Sequence, residues 1–263
     1  MRFRLTGSVI IIGGLLILGG GTLLIYSLGY RLAPGPSIMK AYTLTVSGLP
    51  AGAVVYADSI RNTVAKDGLA RLTLTPGNHA IIVEASGYWP WNELVPIRAQ
   101  DASVPAIMVP VPKAGVVPGT LLSGAAADAA KKLVADAALP SSDAPLPLAG
   151  GCAKTYVSDN RIIADPVEGS ASCTPPAYLC EASACSPTVI FSPVDTLRSV
   201  VPFPGRDDAL LVAVGGSVYA LELDPLDPRY FAPAYAGTAP ALAARKDGSV
   251  VVEDKGAVYS LAL

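Results

Sequence analysis

Gly216-Ser217-Val218-Tyr219-Ala220-Leu221-Glu222-Leu223 returns later in the chain as Gly256-Ala257-Val258-Tyr259-Ser260-Leu261-Ala262-Leu263. The offset is 40 residues throughout, and Leu210-Leu211-Val212 matches Val250-Val251-Val252 at the same offset. Each copy reads as an apolar strand, a Gly-containing turn and a strand of alternating apolar residues, which together make a hairpin. Residues 156–164, with a turn at Ser158-Asp159-Asn160, read as a third, diverged hairpin. A period of about 40 residues with several strands per unit is the signature of propeller blades. A closed ring needs at least about 4 blades, and residues 151–263 have room for two or three. The expectation is a partial, propeller-like β region. It is either an open array covered by the linker and the cysteine segment, or one in which copies associate.

The four cysteines, Cys152, Cys173, Cys180 and Cys185, all fall in this region. Four cysteines allow three pairings. The short loop Cys180–Cys185 is favoured, with Cys152–Cys173 as the second bridge. No Cys-x-x-Cys is present and the single histidine, His79, lies far upstream, which argues against zinc. Disulfides persist in oxidising compartments, so this region belongs outside the cytoplasm.

Residues 112–150 are rich in Pro, Ala, Gly and Ser and read as a linker, with one Ala-rich helical stretch at 125–139. Upstream, residues 42–111 change to a period of two. Tyr42, Leu44 and Val46 alternate with Thr43, Thr45 and Ser47, and Leu72 and Leu74 alternate with Arg71 and Thr73. Asp67-Gly68 and Pro76-Gly77-Asn78 mark turns. Pro96 and Pro105 confine the last two strands to sheet edges. Short strands and frequent turns predict a small antiparallel β-sandwich.

Pro50-Ala51-Gly52-Ala53 ahead of Val54-Val55-Tyr56, then Pro76-Gly77, Ile81-Ile82-Val83 and Gly87-Tyr88, resemble the PEGA domain. Ala51 stands where the family name has its glutamate, and residues 59–66 replace the usual Thr-Pro. Pro175-Pro176-Ala177-Tyr178-Leu179-Cys180, Cys185 and residues 202–208 extend the resemblance to membrane-anchored PEGA proteins of small-genome, uncultivated bacteria. The resemblance implies an anchor, a PEGA sandwich and a propeller-like C-terminal region. Pro50, Gly52, Ala53, Pro76, Gly77, Gly87 and Tyr88 would be its motif positions.

An anchor is expected at residues 1–30. Residues 8–28 carry no charge, and 21 residues of helix span about 30 Å, the thickness of the hydrocarbon core. This run exceeds the apolar core of a cleaved signal peptide, and no small-residue cleavage motif closes it. Arg2 and Arg4 precede it, Arg31 and Lys40 follow, and Tyr26 and Tyr30 flank its outer end. With the free amine, these charges lean toward an N-terminus inside a bacterial cytoplasmic membrane. Gly7, Gly14 and Gly21 recur every seven residues, which leaves self-association open. Residues 31–41, with Pro34 and Pro36, read as a spacer.

The net charge of −2, from 19 basic and 21 acidic residues, excludes a generally basic nucleic-acid binder. Residues 1–40 hold four cations and no acid, so residues 41–263 carry 15 basic and 21 acidic residues, a net of −6. No Gly-x-Ser-x-Gly elbow, phosphate-binding loop or paired-histidine motif occurs. His79 reads as a structural residue at a strand end. Asp207-Asp208 and Asp224 with Asp227 read as solvated turns. Tyr88-Trp89-Pro90-Trp91 holds both tryptophans, and Tyr88, Trp89 and Trp91 are the candidate contact residues. The expected function is a non-enzymatic, single-pass envelope protein without cofactor or metal. Its external β domains would bind another envelope protein or a cell-wall polymer. An envelope hydrolase, or a scaffold whose partial propeller a partner completes, are the alternatives.

Overall fold

The computed structural model describes residues 3–32, 38–111, 119–167, 173–181, 184–225 and 229–263. The chain is mainly β and divides into two units, Met1–Val83 with Leu94–Ala106, and Glu84–Glu93 with Ile107–Leu263.

The first unit opens with helix α1 (Phe3–Ser27). Its described apolar side chains, such as Leu16 and Leu23, are exposed. The side chains of residues 1–11, 17 and 18 are outside the described set. Among the described residues, no helix is long and apolar enough to cross a membrane. The expected spacer contains a small hairpin, β1 (Tyr30–Leu32) and β2 (Ile38–Lys40); Pro34 and Pro36 lie outside the described residues.

Strands β3 (Tyr42–Ser47), β4 (Val54–Ala57), β5 (Ile60–Val64), β6 (Leu69–Leu74), β7 (Gly77–Glu84), β8 (Trp91–Ile97) and β9 (Ala102–Pro105) follow. They form two sheets, in the orders β6-β3-β9 and β5-β4-β7-β8. Leu44 and Val46 are buried on β3, Ala70 and Leu72 on β6, and Ile81 and Val83 on β7, as the period of two requires. β8 and β9 lie at sheet edges, where Pro96 and Pro105 cost no ladder hydrogen bond. The purely antiparallel expectation needs one correction, because β9 runs parallel to β3. The chain changes sheets within residues 98–101, where Asp101 Oδ1 accepts the Thr43 amide at 2.7 Å. It therefore enters beside β3 in the same direction. The β4–β5 turn is Asp58-Ser59, both with positive φ, the backbone that a two-residue hairpin demands.

The second unit contains β10 (Gly119–Leu121), α2 (Gly124–Asp136), β11 (Leu146–Leu148), β12 (Ala153–Ser158), β13 (Arg161–Pro166), β14 (Cys180–Glu181), β15 (Ala184–Cys185) and β16 (Thr188–Phe191). β17 (Leu197–Pro202), β18 (Ala209–Val214), β19 (Ser217–Glu222), β20 (Phe231–Ala236), β21 (Ala241–Ala244), β22 (Val250–Asp254) and β23 (Ala257–Leu261) complete it. Three four-stranded antiparallel sheets result, β11-β12-β13-β16, β17-β18-β19-β20 and β21-β22-β23-β10. The 40-residue repeat is the hairpin β18–β19 and its copy β22–β23. Their registers coincide, since Val212 faces Tyr219 and Val252 faces Tyr259. The diverged hairpin is β12–β13, turning at Asp159-Asn160 with φ of 51° and 60°.

The first two sheets share one core, which includes Ile162, Ile190, Val200, Leu210 and Leu221. The Leu242 amide donates to Ser199 Oγ at 2.9 Å, tying the first strand of the third sheet to that of the second. Ala130 and Val134 of α2 pack on Ala243, Val251 and Val258 of the third sheet. The middle sheet has neighbours on both faces, so every residue of β18 is buried and its sequence is apolar without alternation.

Candidate functional site

Glu222 ends β19 as a buried carboxylate. At the matching position of the repeat the chain has Ala262, so the hairpin itself does not require an acid there. Its Oε2 accepts the Tyr230 amide at 3.3 Å, and its Oε1 lies 3.5 Å from Arg206 Nη2. Arg206, in the β17–β18 loop, also clamps Asp208 through two contacts of 2.6 Å, a bidentate fork. Arg229 Nε donates to the Glu222 backbone carbonyl at 3.2 Å. Glu93 completes the group. Its Oε2, Arg206 Nη1 and Arg229 Nη2 are buried and make no hydrogen bond among the described residues.

Among the described residues, the acids Glu93, Asp208, Glu222 and Asp224 thus interact electrostatically with one another and with Arg206 and Arg229. Burial pushes the Glu93 carboxyl up to about 8, helped by the charge of Glu222 and opposed by Arg206. Burial likewise pushes Glu222 up to about 7, against the pull of Arg206 and the Tyr230 amide. Burial lowers Arg229, against the pull of Glu222 and Asp224. Chemically, burial favours the protonated form of these carboxyls, which adds one O–H donor while the other oxygen still accepts, as Glu222 does from the Tyr230 amide. A cleft of about 650 Å³ borders it, lined by Phe203, Pro204, Arg206, Arg245 and Lys246 among others.

The sequence-derived candidates fall elsewhere or have internal partners. Trp91 is wholly buried, and Trp89 Nε1 donates to the Pro233 carbonyl at 3.0 Å. Tyr88 bridges to Pro110. These rings serve the interior of the second unit, in the same segment that delivers Glu93. Gly52 and Gly87 both adopt positive φ, and the Gly87 carbonyl accepts the Val111 amide. The Pro50 carbonyl accepts the amide of the buried Ala53, while Pro76 and Gly77 lead into β7. His79 Nδ1 lies 2.7 Å from Asp58 Oδ2 and its Nε2 lies 2.7 Å from the Thr75 carbonyl. That fixes it as a brace between the β4–β5 turn and the start of β7. The four cysteines are bonded as Cys152–Cys173 and Cys180–Cys185. Asp207 accepts the Gly150 amide, and Asp227 lies outside the described residues. Among the described residues, no three His, Cys, Asp or Glu side chains gather as metal ligands.

Sequence reasoning missed Glu93, Glu222, Arg206 and Arg229. One signal was present, the replacement of Glu222 by Ala262 between otherwise matching copies. It also missed a ring cluster in which Phe231 is exposed and Tyr219 and Phe191 are half-buried. Tyr219 stacks on Phe231 with centroids 4.5 Å apart, and Phe191 lies 5.5 Å from Phe231. Phe231 and Val189 are among the exposed large apolar side chains. No family model matches the chain, and no curated protein matches it.

Proposed function

We propose that this is a single-pass, non-enzymatic protein of the bacterial cell envelope, with its N-terminus inside and both β units outside. The observation that carries the reading is an uncharged apolar segment within a helix, followed by β structure in which all four cysteines are paired. A helix of that composition favours hydrocarbon, and closed disulfides favour an oxidising compartment. In this reading residues 42–111 form a PEGA-like sandwich. The three four-stranded sheets are then blades of an incomplete propeller, whose last blade takes its outer strand from residues 119–121. The α2 helix covers the third sheet, so an open array is better supported than one awaiting a partner.

The binding surface in this reading is the exposed ring of Phe231 with the half-buried Tyr219 and Phe191 beside it, because an exposed aromatic ring backed by others at a sheet surface is hot-spot material. Its ligand is an envelope protein or a cell-wall polymer. Full-length protein in detergent, incubated with isolated cell wall, tests this. Retention by the wall that falls several-fold in Phe231→Ala and Tyr219→Ala supports the surface. Equal retention of both variants and wild type removes it. A second reading, an envelope hydrolase, has one observation in its favour, the paired acids Glu93 and Glu222. Release of soluble wall fragments by wild type but not by Glu93→Gln would establish that reading instead.

A further inference from the structure

We propose that the β1–β2 hairpin is a membrane-surface element that lies in the lipid headgroup layer and sets the depth of α1. The inference rests on the anchor reading above. It starts from exposed apolar side chains on a structure too small to justify them. Ile38 is 55% and Met39 42% exposed, on a two-stranded hairpin of three-residue strands. An isolated pair of strands is marginal in water.

The position of the hairpin names what covers it. Tyr30 follows the last residue of α1, Ser27, by three residues, a reach of at most about 11 Å. The far end of the hairpin is drawn back to the same place, since the Ala41 amide donates to the Gly29 carbonyl at 2.8 Å. Arg31 stacks over the Tyr26 ring at 3.5 Å and donates to the Tyr26 carbonyl at 2.9 Å, fastening β1 onto the helix end. The base of the hairpin therefore sits where the helix leaves the hydrocarbon, and the headgroup layer is only several ångströms thick per leaflet.

Its chemistry matches that layer. Tyr26 and Tyr30 are exposed rings with a polar tip, the residues that favour the interface. Arg31 and Lys40 supply cations, and no acid occurs before Asp58 to oppose their attraction to anionic lipid. Opposed residues of an antiparallel pair share a face, so Arg31 goes with Met39 and Tyr30 with Lys40. Both faces thus combine an apolar or aromatic group with a cation, which suits a hairpin lying among headgroups.

Nitroxide labels on the full chain in phosphatidylcholine–phosphatidylglycerol vesicles test this. All four native cysteines are bonded, so single introduced cysteines take the label. Leu16→Cys reports the helix, Met39→Cys and Ile38→Cys report the two hairpin faces, and Val194→Cys, fully exposed in the second unit, reports water. Collision with a water-soluble nickel chelate is expected to be several-fold lower at positions 38 and 39 than at 194, and lowest at 16. Shielding at 16, with 38 and 39 as accessible as 194, overturns this inference and leaves the anchor standing. Full accessibility at 16 overturns both.

Discussion

Asp254 ends β22 with its carboxylate turned back onto the segment that joins β20 to β21. It accepts the Ala239 amide at 2.8 Å, the Thr238 amide at 3.0 Å and the Tyr235 hydroxyl at 3.1 Å. Asn160, in the β12–β13 turn, does the same work one sheet earlier. Its Oδ1 accepts the Leu197 amide at 2.8 Å, and its Nδ2 donates to the carbonyls of Asp195 and Pro193. Each latch fixes the turn from one sheet to the next by satisfying backbone groups that no strand partner reaches. At Asp254, burial alone raises the carboxyl. The amides of Ala239 and Thr238, the Tyr235 hydroxyl and Lys255 outweigh it and hold the group below the usual carboxylate range. Asp254→Ala is expected to lose about 2–4 kcal/mol in denaturant unfolding at neutral pH, the loss of charge-assisted bonds plus stranded amides. The sign with pH follows from the depressed value. The advantage over Asp254→Asn is full above the ordinary carboxylate range, and it shrinks as pH falls through the lowered folded value.

Elements are held by contacts of very different sequence distance, and that decides which of them the sequence shows. The hairpins β12–β13, β18–β19 and β22–β23 are legible because their strands adjoin and their turns have a local signature. β10 is not. Gly119-Thr120-Leu121 has no periodicity of its own, and it becomes a strand only because β23 leaves an edge of unpaired backbone groups. The approach is close, since a Cβ on Gly119 would run into the Ser260 carbonyl. Gly119→Ala is expected to cost about 1–3 kcal/mol by forcing the two strands apart. Faster amide exchange at Thr120 and Ser260, with β18 unchanged, would report it. The disulfides were legible as a set because four cysteines fall within 34 residues, and the favoured short loop is the one that places Cys180 opposite Cys185 on β14 and β15. By loop-closure entropy, removing Cys152–Cys173 as a double alanine variant costs about 3 kcal/mol, and removing Cys180–Cys185 about 2 kcal/mol. Equal midpoints for the two variants in denaturant unfolding would show that loop length does not govern their contributions. The acid cluster was illegible for the reason that hid β10. Glu93 and Glu222 are 129 positions apart and share no motif, so only folding brings them to one place.

Across the whole molecule the acids outnumber the bases downstream of the helix, and in the interior this becomes a pH dependence. Glu93 arrives on Glu84–Glu93, a piece of chain preceding β9 that belongs to the second unit. Together with the buried Trp91 and the Trp89–Pro233 bond, it joins that segment to the region of β19 and β20. In the folded chain, burial raises Glu93 to about 8, helped by the charge of Glu222, and raises Glu222 to about 7, helped by the charge of Asp208 and opposed by Arg206; unfolded, both return to about 4.3. Folding therefore takes up protons between these values, so stability falls as pH rises from about 4.3 to about 8 and is level above that. The pair titrates jointly, so the loss belongs to the pair rather than to either carboxyl alone. Glu93→Gln keeps the shape and removes one of the two charges. Its stability relative to wild type should therefore improve from pH 5 to about pH 8, and level off by pH 9, in denaturant unfolding followed by tryptophan fluorescence. A constant difference over that range would mean that Glu93 is ionised throughout it in the folded chain. The segment bearing Trp89 and Trp91 would then be held without help from a proton.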